Sequence, residues 1–222
     1  MKIEDVINLA KKRGPKTVAV ACCQDKEVLL AVENARKEGI INAILVGDID
    51  KTKQIAESLN ISLENYKLID ISDLSEACLK AVQLVSEGSA DIVMKGLVDT
   101  SIILKAVLNK EIGLRTGNVL SHTGVFHVEG YDKLFFITDA AMNIDPDLNT
   151  KKQIIQNAVK LARALDIDEP KVAVLCAKEK VNPKMPDTVD AKELEEMNKK
   201  GEIKDCIVGG PFALDNAISE EA

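Results

Sequence analysis

Apolar and polar positions along this chain switch between a helical and an extended period, and the switching predicts a βα rhythm. Ile3 to Arg13 is patterned as a helix, and Thr17 to Ala21 is a short β-rich run. Lys26 to Glu38 brings Leu29, Val32 and Ala35 to one helical face, with Gly39 as the C-cap. A strand at Ala43 to Val46 ends in Gly47-Asp48, Lys51 to Leu59 is helical, and Lys67 to Ile71 is a strand. Asp73 is placed as an N-cap with Glu76 at the capping-box position. Leu74, Ala77, Cys78, Ala81, Val82 and Val85 then form an apolar stripe that Gly88 closes. Ala90 to Met94 looks like a buried strand and ends in Lys95-Gly96, and a helix opens at Thr100. Repetition of βα units predicts a mostly parallel sheet covered by helices.

The rhythm changes after Arg115. Val119-Leu120, Val125 to Val128 and Leu134 to Ile137 are patterned as strands with no full helix between them. Glu129 to Asp132 is a turn, so a hairpin or an antiparallel edge is expected here. A helix over Thr150 to Leu165, a strand over Lys171 to Leu175 and an irregular Lys- and Pro-containing loop over Lys178 to Pro186 come next. Asp187 to Lys200 is a polar helix, Ile203 to Val208 a strand ending in Gly209-Gly210-Pro211, and a last helix runs from Leu214 to Ala222. The expected division is a first α/β lobe at 1–138 and a second at 139–222.

With 222 residues the chain is long enough for one large domain or two lobes. No Trp, two Tyr and four Phe leave the core to Val, Ile, Leu and Ala. A formal charge of −7 argues against nonspecific nucleic-acid binding, though a local basic pocket for a small anion remains compatible with it. The apolar runs are too short to span a bilayer, and no secretory signal is visible. The five cysteines show no CxxC spacing, which disfavours a disulfide framework and a zinc site, so a reducing cytoplasm is expected.

Candidate chemistry gathers where strands pass into loops, the place where an open α/β sheet binds its ligand. Lys95 could neutralise a phosphate, with Gly96 allowing close backbone approach; a lysine capping the strand end is an equal alternative. Thr100 and Ser101 precede an apolar helix and are placed as N-caps, beside N–H groups able to bind an anion. Arg115 suits bidentate phosphate binding, and Ser121 and Thr123 could complete such a site. His122 has the chemistry of an acid or base near neutral pH, whereas His127 sits within an apolar strand pattern. Asp139 ends a strand, Asp145 begins a turn and Asp215 starts the final helix; such residues more often cap and turn. The cysteines are taken as small buried hydrophobes, with Cys22-Cys23 at the end of the first strand as the exception. No Walker motif, GxGxxG, HExxH or EF-hand loop is present.

Four segments in this order, VMKGLVDT (Val93 to Thr100), GNVLSHTGVF (Gly117 to Phe126), FFITDAAMNIDP (Phe135 to Pro146) and GGPFALDNAI (Gly209 to Ile218), resemble the phosphotransacylase family. Asp139-Ala140-Ala141 stands where acetyl-specific members tend to carry Asp-Cys-Ala, which with SHTGVF favours the butyryl type. The resemblance implies reversible transfer of a short-chain acyl group from acyl-CoA to inorganic phosphate, giving acyl phosphate and CoA, with no metal or organic cofactor. It implies a two-lobed α/β/α fold like that of isocitrate and isopropylmalate dehydrogenases, with the site in the cleft between lobes, and a homo-oligomer. Lys95, Thr100, Arg115, Thr123 and Asp139 then become substrate-binding residues, and Ser121, His122 and Asp215 catalytic ones.

Members of the family run about one-third longer than this chain. The part beyond Asp215 holds their Gly-Asn segment and Ser-Arg…Asp motif, so a C-terminally incomplete second lobe is expected. The alternatives are a noncatalytic CoA-binding or assembly protein of the same fold, a phosphate acetyltransferase, or a phosphate acyltransferase using an acyl-carrier protein, for which no basic docking face is evident. A β-decarboxylating dehydrogenase would need a metal-binding Asp cluster and a nicotinamide site, and neither is visible.

Overall fold

In a computed structural model, residues 1–219 are described. The chain forms two compact units, one from Glu4 to Gly117 and one from Asn118 onward that also takes in Met1–Ile3.

The first unit is an α/β sandwich. Strands β1 (Lys16–Ala21), β2 (Ile41–Gly47), β3 (Lys67–Asp70) and β4 (Ile92–Lys95) form one sheet in the order β3-β2-β1-β4. All three pairings are parallel, with Val18 opposite both Ala43 and Ile92. Period-2 alternation divides the strand residues between two cores. Val18, Val20, Ala43 and Leu45 face helices α2 (Lys26–Lys37) and α3 (Ile49–Ser58) through Leu29, Val32, Ile49 and Ala56. Ala19, Ala21, Ile44 and Val46 face α4 (Leu74–Ser86) and α5 (Thr100–Val107) through Ala77, Ala81, Val82 and Ile103. Small residues on both sides let α4 lie close to the sheet, which is how a core with few aromatics still packs densely. α1 (Ile3–Arg13) precedes β1.

Helix starts obey the local rule for orphan N–H groups. Asp25, Asp48 and Asp73 accept from the backbone N–H groups of Val28, Lys51 and Glu76 at 3.0, 3.0 and 2.9 Å. Two expectations change here. β4, patterned as a buried strand, lies at the sheet edge with Ile92 47% exposed, because a short apolar run carries no information about strand order. Asp99, rather than Thr100 or Ser101, holds the N-cap position of α5, and it makes no side-chain cap bond.

A buried ionic knot ties α2 to the end of the Leu63–Asn65 3-10 turn. Glu33 is 6% exposed. It accepts from Arg36 Nε and Nη2 at 2.9 and 3.1 Å, pairs with Lys37 at 3.3 Å, and accepts a hydrogen bond from the Tyr66 hydroxyl. The Arg36 hydrogen bonds, opposed by burial, hold its carboxyl at about 2. Glu33→Ala should cost about 2 kcal/mol in a urea melt, because the half-buried Arg36 guanidinium and the buried Tyr66 hydroxyl lose their shared partner. The folded pKa lies below the unfolded value of about 4.3. The knot's stabilisation is therefore complete above about pH 5 and fades as pH falls through 4 toward 2. A loss below about 1 kcal/mol at pH 7, with no steepening in acid, would contradict this.

The second unit opens with an antiparallel hairpin of β5 (Thr123–His127) and β6 (Leu134–Thr138), with Phe126 opposite Phe135. Helix α6 (Leu148–Ala164), parallel strands β7 (Lys171–Leu175) and β8 (Ile207–Phe212), α7 (Pro186–Lys199) and α8 (Leu214–Ile218) complete it. Ile155, Val159, Leu194, Ile203, Cys206 and Val208 are its core. Among the described residues no helix is long and apolar enough to cross a membrane.

Three features depart from the sequence pattern. Val119-Leu120 is not a strand, because α6 side chains take the backbone groups of Val119. β8 begins at Ile207, not Ile203, and continues through Gly209-Gly210-Pro211. Ile203 and Cys206 are buried as loop residues because Asn198 Nδ2 donates to both their carbonyls, at 3.0 and 2.9 Å. The last helix ends at Ile218 with Ser219 extended; its expected continuation through 220–222 lies outside the described residues.

Candidate active site

In the first unit, Lys95 stands at the end of β4 with its side chain exposed. Its ammonium donates to the carbonyls of Gly96 at 3.3 Å and Val98 at 2.9 Å. It thus caps its own strand-to-helix turn and keeps one N–H for another acceptor. Gly96 is buried against the end of β1, where its N–H donates to the Ala21 carbonyl at 2.8 Å. Thr100 is the exposed first residue of α5. Arg115 is exposed in the loop after α5, and among the described residues no carboxylate pairs with it.

Cys22 and Cys23, at the end of β1, are fully buried. Burial, with Cys78 Sγ at 3.9 Å, pushes the Cys22 thiol up to about 12, and burial raises Cys23 as well. Thiols so far from ionised are not nucleophiles, so Cys22-Cys23 resolves to packing.

In the second unit, four of the candidate residues come together. Asp139 comes directly after β6 and accepts four hydrogen bonds. Its Oδ1 takes the N–H groups of Ala141 and Met142, each at 2.9 Å. Its Oδ2 takes His122 N–H at 3.2 Å and Asn143 Nδ2 at 2.6 Å. Burial pushes this carboxyl up, but the four donors together outweigh it and hold it below its ordinary range. A carboxylate with every lone-pair direction engaged is an organiser of its surroundings.

Asp139 organises the segment carrying Ser121, His122 and Thr123. Asn143 also donates to the Leu120 carbonyl at 3.0 Å, and Thr138 Oγ1 donates to the His122 carbonyl at 2.7 Å. Thr123 Oγ1 lies 3.4 Å from Thr138 Oγ1. Ser121 Oγ bonds to Asn157 on α6 rather than to His122, so no Ser-His dyad forms. The His122 imidazole is exposed, as is His127 on β5.

Asp215 stands apart from this network. It sits in the first turn of α8, where Oδ1 accepts from Asn216 N–H at 3.0 Å, and among the described residues nothing bonds it to Ser121 or His122. Asn143 and Asn157 were not singled out from sequence. For Asn157 a signal existed: Gln153 and Asn157, four residues apart, put two carboxamides on one face of the helix. A cavity of about 310 Å³ lined by Lys160, Arg163, Asp168, Lys204 and Asp205 holds none of the candidate residues.

Comparison with known proteins agrees with the motif order. The family model described as "Phosphate acetyl/butaryl transferase" matches residues 1–77 and 72–222. The chain is 50% identical over 218 residues to "Phosphate butyryltransferase" of Clostridium acetobutylicum, covering 98% of this chain and 72% of that protein. It is 51% identical over 219 residues to the protein of the same name from Clostridium beijerinckii, covering 99% and 72%. Among solved structures, a branched-chain phosphotransacylase from Enterococcus faecalis superposes with a TM-score of 0.78 at 34% identity, over 93% of this chain and 71% of that one. The fold is thus the α/β fold of phosphotransacylases, with a mostly parallel central sheet. With both family-model segments together running the length of the chain and about half its residues identical to those of two members, this chain belongs to the phosphate acetyl/butaryl transferase family.

Proposed function

We propose that this chain is an acyltransferase that moves a short-chain acyl group, butyryl in preference to acetyl, reversibly from acyl-CoA to inorganic phosphate. The observation that carries the reading is the 50–51% identity, over nearly the whole chain, to two proteins named phosphate butyryltransferase. Similarity to a branched-chain phosphotransacylase supports an acyl pocket larger than acetyl requires. An architecture of the isocitrate and isopropylmalate dehydrogenase kind, no metal or organic cofactor, a homo-oligomeric state and a cytoplasmic location belong to the same reading.

In the reaction, a phosphate oxygen attacks the thioester carbonyl carbon, a tetrahedral oxyanion forms, and the C–S bond breaks. The proton carried by hydrogen phosphate ends on the CoA sulfur, which balances the step. Two anions must be held together, so charge offset and oriented donors are what the protein supplies. In the first unit, Lys95 and Arg115 are cations suited to phosphate, and Thr100 adds a hydroxyl. In the second, Ser121 and Thr123 are hydroxyl donors and His122 is an exposed imidazole able to carry the proton. Asp139, a substrate-binding candidate by resemblance, positions these groups through its four hydrogen bonds, and Asp215 is a further candidate carboxylate.

The test is CoA thiol release from butyryl-CoA with and without phosphate, beside acetyl-CoA. Phosphate-dependent release, faster with butyryl-CoA, is the expected result. Faster release with acetyl-CoA would move the reading to acetyl transfer, and phosphate-independent release would overturn it.

A further inference from the structure

The segment Val119–Ser121 has no strand partner, and two side chains of α6 serve in place of one. Val119 N–H donates to Gln153 Oε1 at 2.9 Å, and the Val119 carbonyl accepts from Asn157 Nδ2 at 3.0 Å. Gln153 and Asn157 are one helical turn apart and so clamp the same residue from one face. The second N–H of the Asn157 carboxamide goes to Ser121 Oγ at 2.9 Å.

This arrangement determines which way the serine hydroxyl is used. A backbone carbonyl can only accept, so the Val119 bond identifies the end of Asn157 that is nitrogen. Ser121 Oγ is therefore the acceptor in its bond to Asn157. A hydroxyl carries one proton, and among the described residues no acceptor takes that of Ser121. With a lone pair engaged by Asn157, the proton is left to an acceptor outside the protein.

We propose that Asn157 is a positioning residue that orients Ser121 as a hydrogen-bond donor to an oxygen of the phosphate substrate. Were the hydroxyl reversed, donating to a neighbour, it would present lone pairs to an anion and repel it. The inference rests on the reading of Ser121 as a phosphate-binding group. It also assigns a task to a residue 36 positions away in sequence.

The test is the steady-state kinetics of butyryl-CoA phosphorolysis in Ser121→Ala, Asn157→Ala, Asn157→Asp and the double variant Ser121→Ala/Asn157→Ala. Asn157→Asp is near-isosteric but removes both N–H donors, which guards against a variant that simply fails to fold. Each single variant should raise KM for phosphate roughly tenfold or more, the worth of a hydrogen bond to a charged acceptor. KM for butyryl-CoA should stay within about twofold, and the double variant should be no worse than Ser121→Ala. Phosphate Kd from a 31P titration, which needs no turnover, should rise in the same order. A raised phosphate KM in Ser121→Ala beside normal Asn157 variants, or effects that multiply in the double variant, would overturn the inference alone. An unchanged phosphate KM and Kd in Ser121→Ala would overturn the assignment of Ser121 and the inference with it.

Discussion

Asp139→Ala should lower kcat/KM for butyryl-CoA phosphorolysis about 100-fold or more while circular dichroism still reports the native secondary structure. The carboxylate takes four donors from three places: the Ala141 and Met142 backbone, the Asn143 side chain and the His122 backbone. Its removal releases the Leu120–Thr123 segment from the turn after β6. Displacement of reacting groups by about 1 Å is enough for a loss of this size. Asp139→Asn keeps one acceptor oxygen but turns an NH2 group toward donors, so an intermediate loss of about tenfold is expected. The sign of the pH effect is set by the carboxyl being held below its ordinary range. The network is intact above about pH 4 and fails only as pH falls through the depressed value, so an acid limb of activity above pH 5 belongs to another group. An Asp139→Ala enzyme within threefold of the parent would show that the segment holds itself in place.

The second large effect concerns stability. Gly96→Ala should destabilise the protein by about 3 kcal/mol or more, read as a lower urea midpoint. A Cβ at Gly96 would overlap the Cys22 carbonyl oxygen and stand 2.5 Å from the Ala21 carbonyl oxygen. Both obstacles are backbone atoms at the end of the central strand β1. They also accept the N–H groups of Gly96 and Leu97, at 2.8 and 3.1 Å, so neither can swing aside. The clash is resolved only by moving the Lys95-Gly96 turn, so the variant should also weaken phosphate binding if Lys95 serves there. A midpoint unchanged within error would mean that the turn relaxes freely.

Much of the fold is legible from neighbours in sequence. The Asp73 cap, the left-handed Gly39 that follows the Glu38 C-cap of α2, and the β5–β6 turn each depend on residues a few positions apart. The βα rhythm comes from period alone. Strand order does not: the same apolar run that marks β4 would serve at the centre or at the edge. Ile203 and Cys206 look like strand residues because burial and strand pattern coincide locally, yet Asn198 holds them as a loop.

Chemical identity at the candidate site was also legible, since Ser121, His122, Thr123 and Asp139 stand in segments that resemble the family. Their relations were not. Ser121 and His122 are neighbours in sequence, but the partner of the serine oxygen is Asn157, 36 positions away. Asp139 looks like an ordinary strand-end cap, but it collects donors from positions 122, 141, 142 and 143. Periodicity, capping and turn chemistry are local, so the order of residues determines the elements and the groups they carry. A hydrogen bond needs its donor within about 3 Å at a restricted angle, so only the packed chain decides which partner a given oxygen meets.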